Sequence, residues 1–413
     1  MERRVVITGM GAVTPVGLTA PETWHALVNG TSGIATIANI PTDGLKVTVA
    51  AEVKGFDGRE RLGEDVRHKD LNVQYALAAS DEAMAGSGLA EAENFDPDRV
   101  GVYVGSGIGG MASYTAAVDT MRERGFRRCP PFMIPMMIAN MAAGEVSIRH
   151  RLTGPTLPVV TACATSAHTV GEAFHAIKHG YADAILAGGA EACIVPEAIA
   201  GFTNCKALTR NPDPATACRP FDKNRDGFVM GEGACILVLE ELEHARERSA
   251  RILCEIAGYG NTADAYHITS PAPDAQGITR AIRAAVEEAG LDVRDGLYIN
   301  AHGTSTKLND ASETLGIKQA LGEEAARAAH ISSTKSMTGH MLGATGALEA
   351  AVCALAIEHG VIPPTMGYAE PDPACDLDYT PNRAVAAPVR CALSTNLGFG
   401  GHNAALAFKV YEE

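Results

Sequence analysis

Short apolar runs rich in β-branched residues alternate along the chain with longer segments whose apolar positions recur at helical spacing. The short runs predict buried strands, and the longer segments predict amphipathic helices. This alternation predicts an α/β protein with mainly central, buried strands. The predicted strands are 4–8, 99–104, 158–161, 184–187, 234–239, 297–300, 329–333 and 404–409, and the clearest helices are 74–85, 165–180, 277–289 and 343–359.

Cys163 lies where the predicted strand 158–161 passes into the helical run 165–180. Free amides and the positive end of the helix dipole meet at such a position and favour the thiolate. We therefore expect a thiol pKa ~1–2 units below that of a free cysteine. A buried cysteine that packs as a small hydrophobe fits the same local pattern. Both interpretations stay open on these residues alone.

Length and composition narrow the class of protein. The 413 residues predict two domains or one large duplicated domain, and the net charge of −15 argues against nucleic acid as the main partner. No apolar stretch approaches the ~20 residues of a membrane span, and the apolar run after Arg4 is too short for a signal peptide. The ten cysteines lack paired spacing, which predicts reduced thiols and a cytoplasmic protein.

A faint internal echo links the two halves of the chain. Val-Val-Thr-Ala leads into Cys163 in the first half, and Tyr-Ile-Asn-Ala leads into His302 in the second. Each is a predicted strand followed by a small-residue turn with a reactive side chain. Two related halves would bring such strand ends together at one interface. The proline-rich stretch 270–273 is a candidate seam between them.

Two motifs look like ligand sites but favour simple turns. Residues 105–110 match GxGxxG after a strand, yet no acidic residue ends a second strand ~20 positions later, as a dinucleotide fold requires. We expect a tight glycine turn that lines a groove. Residues 222–227 resemble the start of a calcium loop, but Glu232 falls one position early and flanking helices are missing. We expect a turn in which Asp222 and Asp226 cap backbone amides.

The second half supplies two histidines, His302 and His340, each at a strand end beside glycine. Lys335 precedes His340 in the same turn, and Glu349 lies on the helix that follows. One thiol with two imidazoles has two chemical interpretations, a zinc site or thiol-based acyl transfer with an oxyanion held by amides. Zinc lacks a fourth ligand and ligand-like spacing here, so the spacing favours acyl transfer.

Four motifs follow one another in a specific order: Thr161-Ala162-Cys163, His302-Gly303-Thr304-Ser305-Thr306, Lys335-Ser336-Met337-Thr338-Gly339-His340 and Gly398-Phe399-Gly400-Gly401. They resemble the β-ketoacyl-acyl-carrier-protein synthases, most closely the elongating synthase II type, and the likeness covers nearly the whole chain. It implies a thiolase-like fold of five layers, αβαβα, built from two related halves. Residues 1–255 would carry the nucleophilic cysteine and 256–413 the two catalytic histidines, usually in a homodimer.

The resemblance implies a decarboxylative condensation that elongates fatty acids by two carbons. Cys163 would take an acyl chain from acyl-carrier protein, and the carbanion of decarboxylated malonyl-carrier protein would attack it. His302 and His340 would stabilise the enolate as N–H donors, while the amides of Cys163 and Phe399 would form the oxyanion hole. Lys335 with Glu349 would orient the histidines. No metal or organic cofactor is implied, because the phosphopantetheine arrives on the carrier protein as part of the substrate.

The same resemblance suggests binding residues. Hydroxyls for the phosphopantetheine arm are expected at Thr269, Thr304 and Thr306. The acyl pocket is expected at Ile108, Phe132, Ile134 and Phe202, for which ordinary core packing is a close alternative. An acidic carrier protein needs a local basic face, and solvated surface charge is the alternative for each candidate: Arg67, Lys69, Arg127, Arg128, Lys206 and Arg210.

Some positions depart from the family pattern. Lys307 stands where proline is usual, the lead-in 394–397 to the glycine turn differs, and 59–72 matches poorly. These departures affect carrier contacts and chain-length preference. Three alternatives stay open: a polyketide ketosynthase with the same residues, a non-catalytic chain-length subunit, and a thiol hydrolase. The chain-length subunit lacks the cysteine, and the hydrolase needs an orienting Asn or Asp and no second histidine.

Overall fold

The computed structural model describes residues 3–294 and 296–412. The strands are β1 Val5–Val13, β2 Ala35–Thr36, β3 Val49–Ala50, β4 Val100–Gly105, β5 Ala184–Glu191, β6 Gly233–Glu241, β7 Cys254–Ala263, β8 Leu297–Asn300, β9 His330–Ser332, β10 Val361–Ile362, β11 Val385–Ala386, β12 Cys391–Gly398 and β13 His402–Lys409. The helices are α1 Ala20–Val28, α2 Gly58–Leu62, α3 Leu71–Ser87, α4 Met111–Arg124, α5 Met133–Met137, α6 Met141–His150, α7 Thr165–Lys178, α8 Pro196–Asn204, α9 Leu242–Glu247, α10 Gln276–Ala289, α11 Lys307–Leu321, α12 Glu323–Ala328, α13 Lys335–Thr338 and α14 Thr345–His359.

Among the described residues, nine strands form one sheet in the order β4-β5-β6-β1-β7-β13-β12-β8-β9. The predicted strands coincide with members of this sheet, with one exception. The predicted strand 158–161 is wrong, because the segment runs as coil. Only Thr156 bridges to Val102, with the Leu157 amide donating to the Val102 carbonyl at 3.2 Å. Pro158 then has no amide hydrogen with which to continue the ladder.

Two long strands, β7 and β12, were not predicted from the sequence. Glycine interrupts the apolar pattern of β7 at Gly258 and Gly260. Side chains there would collide with α10, since a Cβ would meet the Ala285 and Ala281 carbonyl oxygens at 2.1 and 1.9 Å. The glycines therefore serve close helix–sheet packing, which a single-sequence pattern does not reveal.

The sheet has two parts, β4-β5-β6-β1 and β7-β13-β12-β8-β9. Helices α7 and α14 lie between these two parts. Each contacts strands of both parts, β5 and β6 on one side and β12 and β13 on the other. Outside them, α3 and α6 pack on the first part, while α10 packs on the second. These layers confirm the predicted αβαβα arrangement. The segment Leu342–His359 is apolar and long enough to cross a bilayer, but 78% of it is buried in the protein, as in a central core helix.

The two parts of the sheet repeat one pairing pattern. In β1-β6-β5-β4 and in β7-β13-β12-β8, two antiparallel pairs are followed by a parallel one. Each half also enters its central helix through a short 3-10 turn, Ala162–Ala164 before α7 and Leu342–Ala344 before α14. Cys163 in the first half is therefore equivalent to Gly343 in the second half. The equivalence of Cys163 and His302 that the sequence echo suggested is wrong. The boundary between 1–255 and 256–413 stays a prediction.

Candidate active site

Cys163 sits in the 3-10 turn that opens α7, in a backbone that only close packing can hold. Ala162 has φ of 51°, a left-handed conformation that is uncommon for a side chain with a Cβ. The end of β12 closes over this turn at Gly398, where a Cβ would lie 2.5 Å from the Thr161 oxygen and 3.4 Å from the Cys163 nitrogen. Any larger residue at this position would push the two segments apart.

The Cys163 thiol is protonated in this closed structure, contrary to the sequence expectation of a lowered pKa. Burial raises the pKa of Cys163 to about 11, opposed by the charge of Lys335 and by the backbone amides of Phe399 and Cys163 itself. Only 9% of the residue is exposed. Desolvation of the charged form thus outweighs the helix terminus. The same two amides face the sulfur, as the predicted oxyanion hole requires.

His302 and His340 lie next to each other beyond two strand ends. Their rings are 5.3 Å apart and nearly perpendicular, at 87°. Burial and the positive charge of Lys335 lower the pKa of both imidazoles well below the ordinary value, so both are neutral at pH 7. His340 Nδ1 lies 3.1 Å from the Thr345 hydroxyl. His302 Nδ1 and His340 Nε2 have no hydrogen-bond partner within the described chain.

Lys335 and Glu349 form a fully buried ion pair behind the histidines, with side chains 1% and 0% exposed. Asn396 donates to the second Glu349 oxygen at 2.7 Å. Burial raises the pKa of Glu349 to about 7, and the ammonium of Lys335 opposes that rise. The pair places the positive charge of Lys335 near all three reactive groups, because that charge lowers the pKa of Cys163, His302 and His340.

The thiol and both histidines open into one cavity of about 380 Å³. Its lining includes Phe399 and all three predicted arm-binding threonines. The Thr304 and Thr306 hydroxyls lie 2.9 Å apart. The structure therefore brings together, along a single cavity, the following predicted residues: Cys163, His302, His340, Phe399, Thr269, Thr304 and Thr306.

The four predicted acyl-pocket residues lie outside the part of this lining that the described residues form. Phe202 packs beside the cavity, with its ring 6.2 Å from that of Phe399. The other three are exposed, Ile108 by 38%, Phe132 by 42% and Ile134 by 58%. The alternative interpretation, that these three side chains are part of the hydrophobic core, is therefore wrong.

The six predicted carrier-contact residues have different surroundings. Arg67 pairs with Asp65, and Lys69 pairs with Glu145 at 2.5 Å. Lys206 is exposed and lines the cavity that holds Cys163. The remaining three, Arg127, Arg128 and Arg210, are exposed.

Two buried carboxylates that support the site were missed in the sequence. Glu313, on α11, accepts the backbone amides of His302 and Gly303 at 2.7 and 2.8 Å. Glu191, at the end of β5, accepts the amides of Gly107 and Gly343 at 2.8 and 3.0 Å. The sequence offers one sign of this role, at Glu191, because an acidic residue there ends a strand of apolar and small residues. Because it occupies the amides of the glycine motif, that motif is a structural turn.

The calcium-like segment 222–227 is also structural. Asp222 accepts the amides of Ala369 and Glu370 at 2.7 and 2.6 Å, as predicted. Asp226 was predicted to cap an amide, but it accepts the Thr209 hydroxyl at 2.7 Å. Within residues 3–294 and 296–412, no group of three or more His, Cys, Asp or Glu side chains is arranged to hold a metal ion.

Comparison with known proteins extends over the whole chain. Family models described as "Beta-ketoacyl synthase, N-terminal domain" and "Beta-ketoacyl synthase, C-terminal domain" match residues 2–245 and 253–369. The chain is 49% identical over 411 residues to 3-oxoacyl-(acyl-carrier-protein) synthase 2 of Staphylococcus aureus strain COL, covering 99% of both proteins.

Solved structures give the same picture. The ishigamide ketosynthase/chain length factor is 36% identical with a TM-score of 0.92, and the match covers 100% of both chains. A type II polyketide synthase acyl-carrier protein in complex with its ketosynthase yields a TM-score of 0.92 at 33% identity, again covering 100% of both.

Proposed function

The chain belongs to the β-ketoacyl synthase family, and we infer that it is a 3-oxoacyl-(acyl-carrier-protein) synthase. It condenses malonyl-carrier protein with an acyl group held on Cys163. The observation that carries this inference is the meeting of one thiol, two neutral imidazoles and two thiol-facing amides at a single cavity. Each of these groups has a chemical role in thioester condensation.

The first step moves the acyl chain onto the enzyme. The Cys163 sulfur attacks the thioester carbon, and the amides of Cys163 and Phe399 stabilise the tetrahedral oxyanion. The carbon–sulfur bond to the carrier breaks, and the departing pantetheine thiol receives the proton that Cys163 loses. Because the resting thiol is protonated, a neutral imidazole of His302 or His340 within the cavity is suited to accept this proton.

The second step forms the new carbon–carbon bond. Malonyl thioester loses carbon dioxide, and the electron pair of the broken bond becomes an enolate. His302 and His340 stabilise the enolate oxygen as hydrogen-bond donors, because a neutral imidazole still carries one N–H. The enolate carbon attacks acyl-Cys163, the carbon–sulfur bond breaks, and the thiolate takes one proton from solvent per turnover.

We propose acyl-carrier protein as the partner that delivers both substrates. A ketosynthase of the same fold is known in complex with an acyl-carrier protein, which supports this partner class. Thr269, Thr304 and Thr306 offer hydroxyls along the cavity for the phosphopantetheine arm, and exposed Lys206 at the same cavity offers a positive charge to an acidic carrier.

Fatty-acid elongation is favoured over polyketide synthesis. Identity reaches 49% with a 3-oxoacyl-(acyl-carrier-protein) synthase 2, against 33% with the ketosynthase of a type II polyketide synthase. A non-catalytic chain-length subunit is disfavoured by Cys163, and a thiol hydrolase by the paired His302 and His340. Cytoplasmic location stays a prediction.

We also propose a homodimer, because the segment 108–160 exposes many large apolar side chains. Large exposed apolar side chains that cluster on a surface mark protein interfaces. A monomer by light scattering at micromolar concentration would contradict this assembly. The exposed residues are Ile108, Tyr114, Phe126, Phe132, Ile134, Ile138, Ile148, Leu157 and Val160.

Mass spectrometry tests the proposed function directly. Protein incubated with acyl-carrier protein should gain the mass of the acyl group on Cys163, and addition of malonyl-carrier protein should release it as a product two carbons longer. The Cys163→Ala variant should do neither. An unmodified Cys163, or label on another residue, would overturn the assignment.

A further inference from the structure

Arg225, inside the calcium-like segment 222–227, is buried and has no part in the mechanism above. Its side chain is 3% exposed. Its guanidinium donates from Nε to the Thr306 carbonyl at 3.0 Å and from Nη2 to the Lys307 carbonyl at 3.0 Å. Nη1 donates to the Asp222 carbonyl at 2.9 Å and to the Asp372 carboxylate at 2.5 Å. One planar group thus ties three separate segments together.

Asp310 completes this arrangement. Its carboxylate, 0% exposed, lies 3.5 Å from Arg225 Nε and balances the buried charge. It also accepts the Thr304 amide at 3.0 Å and the Phe221 amide at 2.8 Å. Arg225 and Asp310 therefore hold the loop 304–307 from both of its ends.

Two hydrogen bonds donated by backbone amides reinforce the same loop. Ser305 has φ of 67°, a left-handed conformation that its surroundings must enforce. The Ser305 hydroxyl accepts the Arg219 amide at 3.0 Å, and its carbonyl accepts the Gly227 amide at 3.0 Å. The segment 219–227 is thus a cradle that shapes the loop presenting the Thr304 and Thr306 hydroxyls.

We propose that Arg225 is a positioning residue for the phosphopantetheine arm. By fixing the carbonyls of Thr306 and Lys307, it aims the Thr304 and Thr306 hydroxyls into the cavity and so sets affinity for carrier-bound substrates. This inference rests on the proposed function. In the described part of the chain Arg225 lies outside the cavity lining, so we expect the reactivity of Cys163 to be independent of it.

Arg225→Lys tests this role, because lysine keeps the charge but cannot reproduce the planar fork. The KM for malonyl-carrier protein should rise roughly tenfold, the effect of about one lost charged hydrogen bond, while kcat changes less than about twofold. The rate of Cys163 alkylation by iodoacetamide should stay at the wild-type value. Asp372→Asn, which removes the negative charge of one anchor of Arg225 but keeps an acceptor oxygen, should also raise KM, by a smaller factor.

A binding measurement separates this inference from the proposed function. Calorimetry compares the affinity of each variant for carrier protein with and without its phosphopantetheine arm. Wild-type protein should prefer the form with the arm, and Arg225→Lys should lose most of that preference. This holds whether or not condensation is observed, whereas an inactive wild-type enzyme would overturn the proposed function alone.

Arg248 supplies a matched control. Its side chain is 7% exposed, pairs with Glu240 and donates to the Ser87 carbonyl, away from the cavity. Arg248→Lys should leave KM and the arm preference unchanged. Wild-type KM in Arg225→Lys, or equal losses of binding, kcat and alkylation, would overturn the positioning role. Should Arg225→Lys not fold, an unchanged arm preference in Asp372→Asn would overturn it as well.

Discussion

The ammonium of Lys335 donates a hydrogen bond to the carboxylate of Glu349 where both side chains are shielded from water, at 1% and 0% exposure. A buried ion pair costs desolvation energy that its own attraction only partly offsets. Its value here is chemical. The Lys335 charge opposes the rise in the pKa of Cys163 and lowers the pKa of His302 and His340.

Removing one partner of this pair should destabilise the fold strongly. Lys335→Met removes the charge that opposes the rise in the pKa of Glu349, so the buried carboxyl must take up a proton to fold. We expect the free energy of unfolding at pH 7 to fall by about 3 kcal/mol. The double variant Lys335→Met/Glu349→Met should recover part of that loss, because no buried carboxyl is left without its partner. Urea denaturation measures all three. A double variant less stable than the single variant would contradict the argument.

The free thiol should titrate at high pH. Because burial raises the pKa of Cys163 to about 11, alkylation of the resting enzyme by iodoacetamide should increase about tenfold per pH unit between pH 8 and 10. Mass spectrometry of the Cys163 peptide follows the rate. A plateau below pH 8 would instead support the helix-terminus expectation of a lowered pKa.

Acid should destabilise the protein through its site histidines. The pKa of His302 and His340 lies well below the ordinary 6.5 in the folded state, so below pH 6.5 the unfolded chain binds protons first. Stability is therefore lost as pH falls from 6.5 towards the folded values, by up to about 1.4 kcal/mol per pH unit for each group.

The His340→Asn variant isolates one such contribution. Its free energy of unfolding should fall less steeply between pH 6.5 and 5, by up to about 1.4 kcal/mol per pH unit, than that of the wild type. Comparing slopes cancels carboxylates that titrate in the same range, such as Glu349. Parallel slopes in urea denaturation series would exclude a neutral buried His340.

Gly398 should tolerate no side chain. Alanine there would place a Cβ 2.5 Å from the Thr161 oxygen, so the turn that carries the Phe399 amide must move away from Cys163. We expect Gly398→Ala to lower kcat by about 10²-fold or more, the cost of losing one oxyanion donor. Gly86→Ala is the control, since its Cβ would meet only the Met10 oxygen at 4.0 Å. Equal activity of both variants would contradict the role of the Phe399 amide as an oxyanion donor.

Much of the architecture could be predicted from the sequence, because strand and helix periodicity is local. The strand beginning at Val5 and the helix Thr165–Lys178 follow directly from spacing. The strands Cys254–Ala263 and Cys391–Gly398 were not predicted, because close packing requires small residues that interrupt the run of large apolar side chains. Pro158 also prevents the expected strand 158–161 from continuing the ladder, so this segment is coil.

The sequence by itself determined the reactive groups, since Cys163, His302, His340 and Lys335 are marked by motifs at strand ends and helix starts. Only the tertiary structure decided their state. The pKa of the Cys163 thiol moved in the opposite direction to expectation because β12 closes over it and excludes water. Arg225 emerged as a support for the same reason: desolvation and hydrogen bonding join segments far apart in the chain, and no local pattern records which segments will meet.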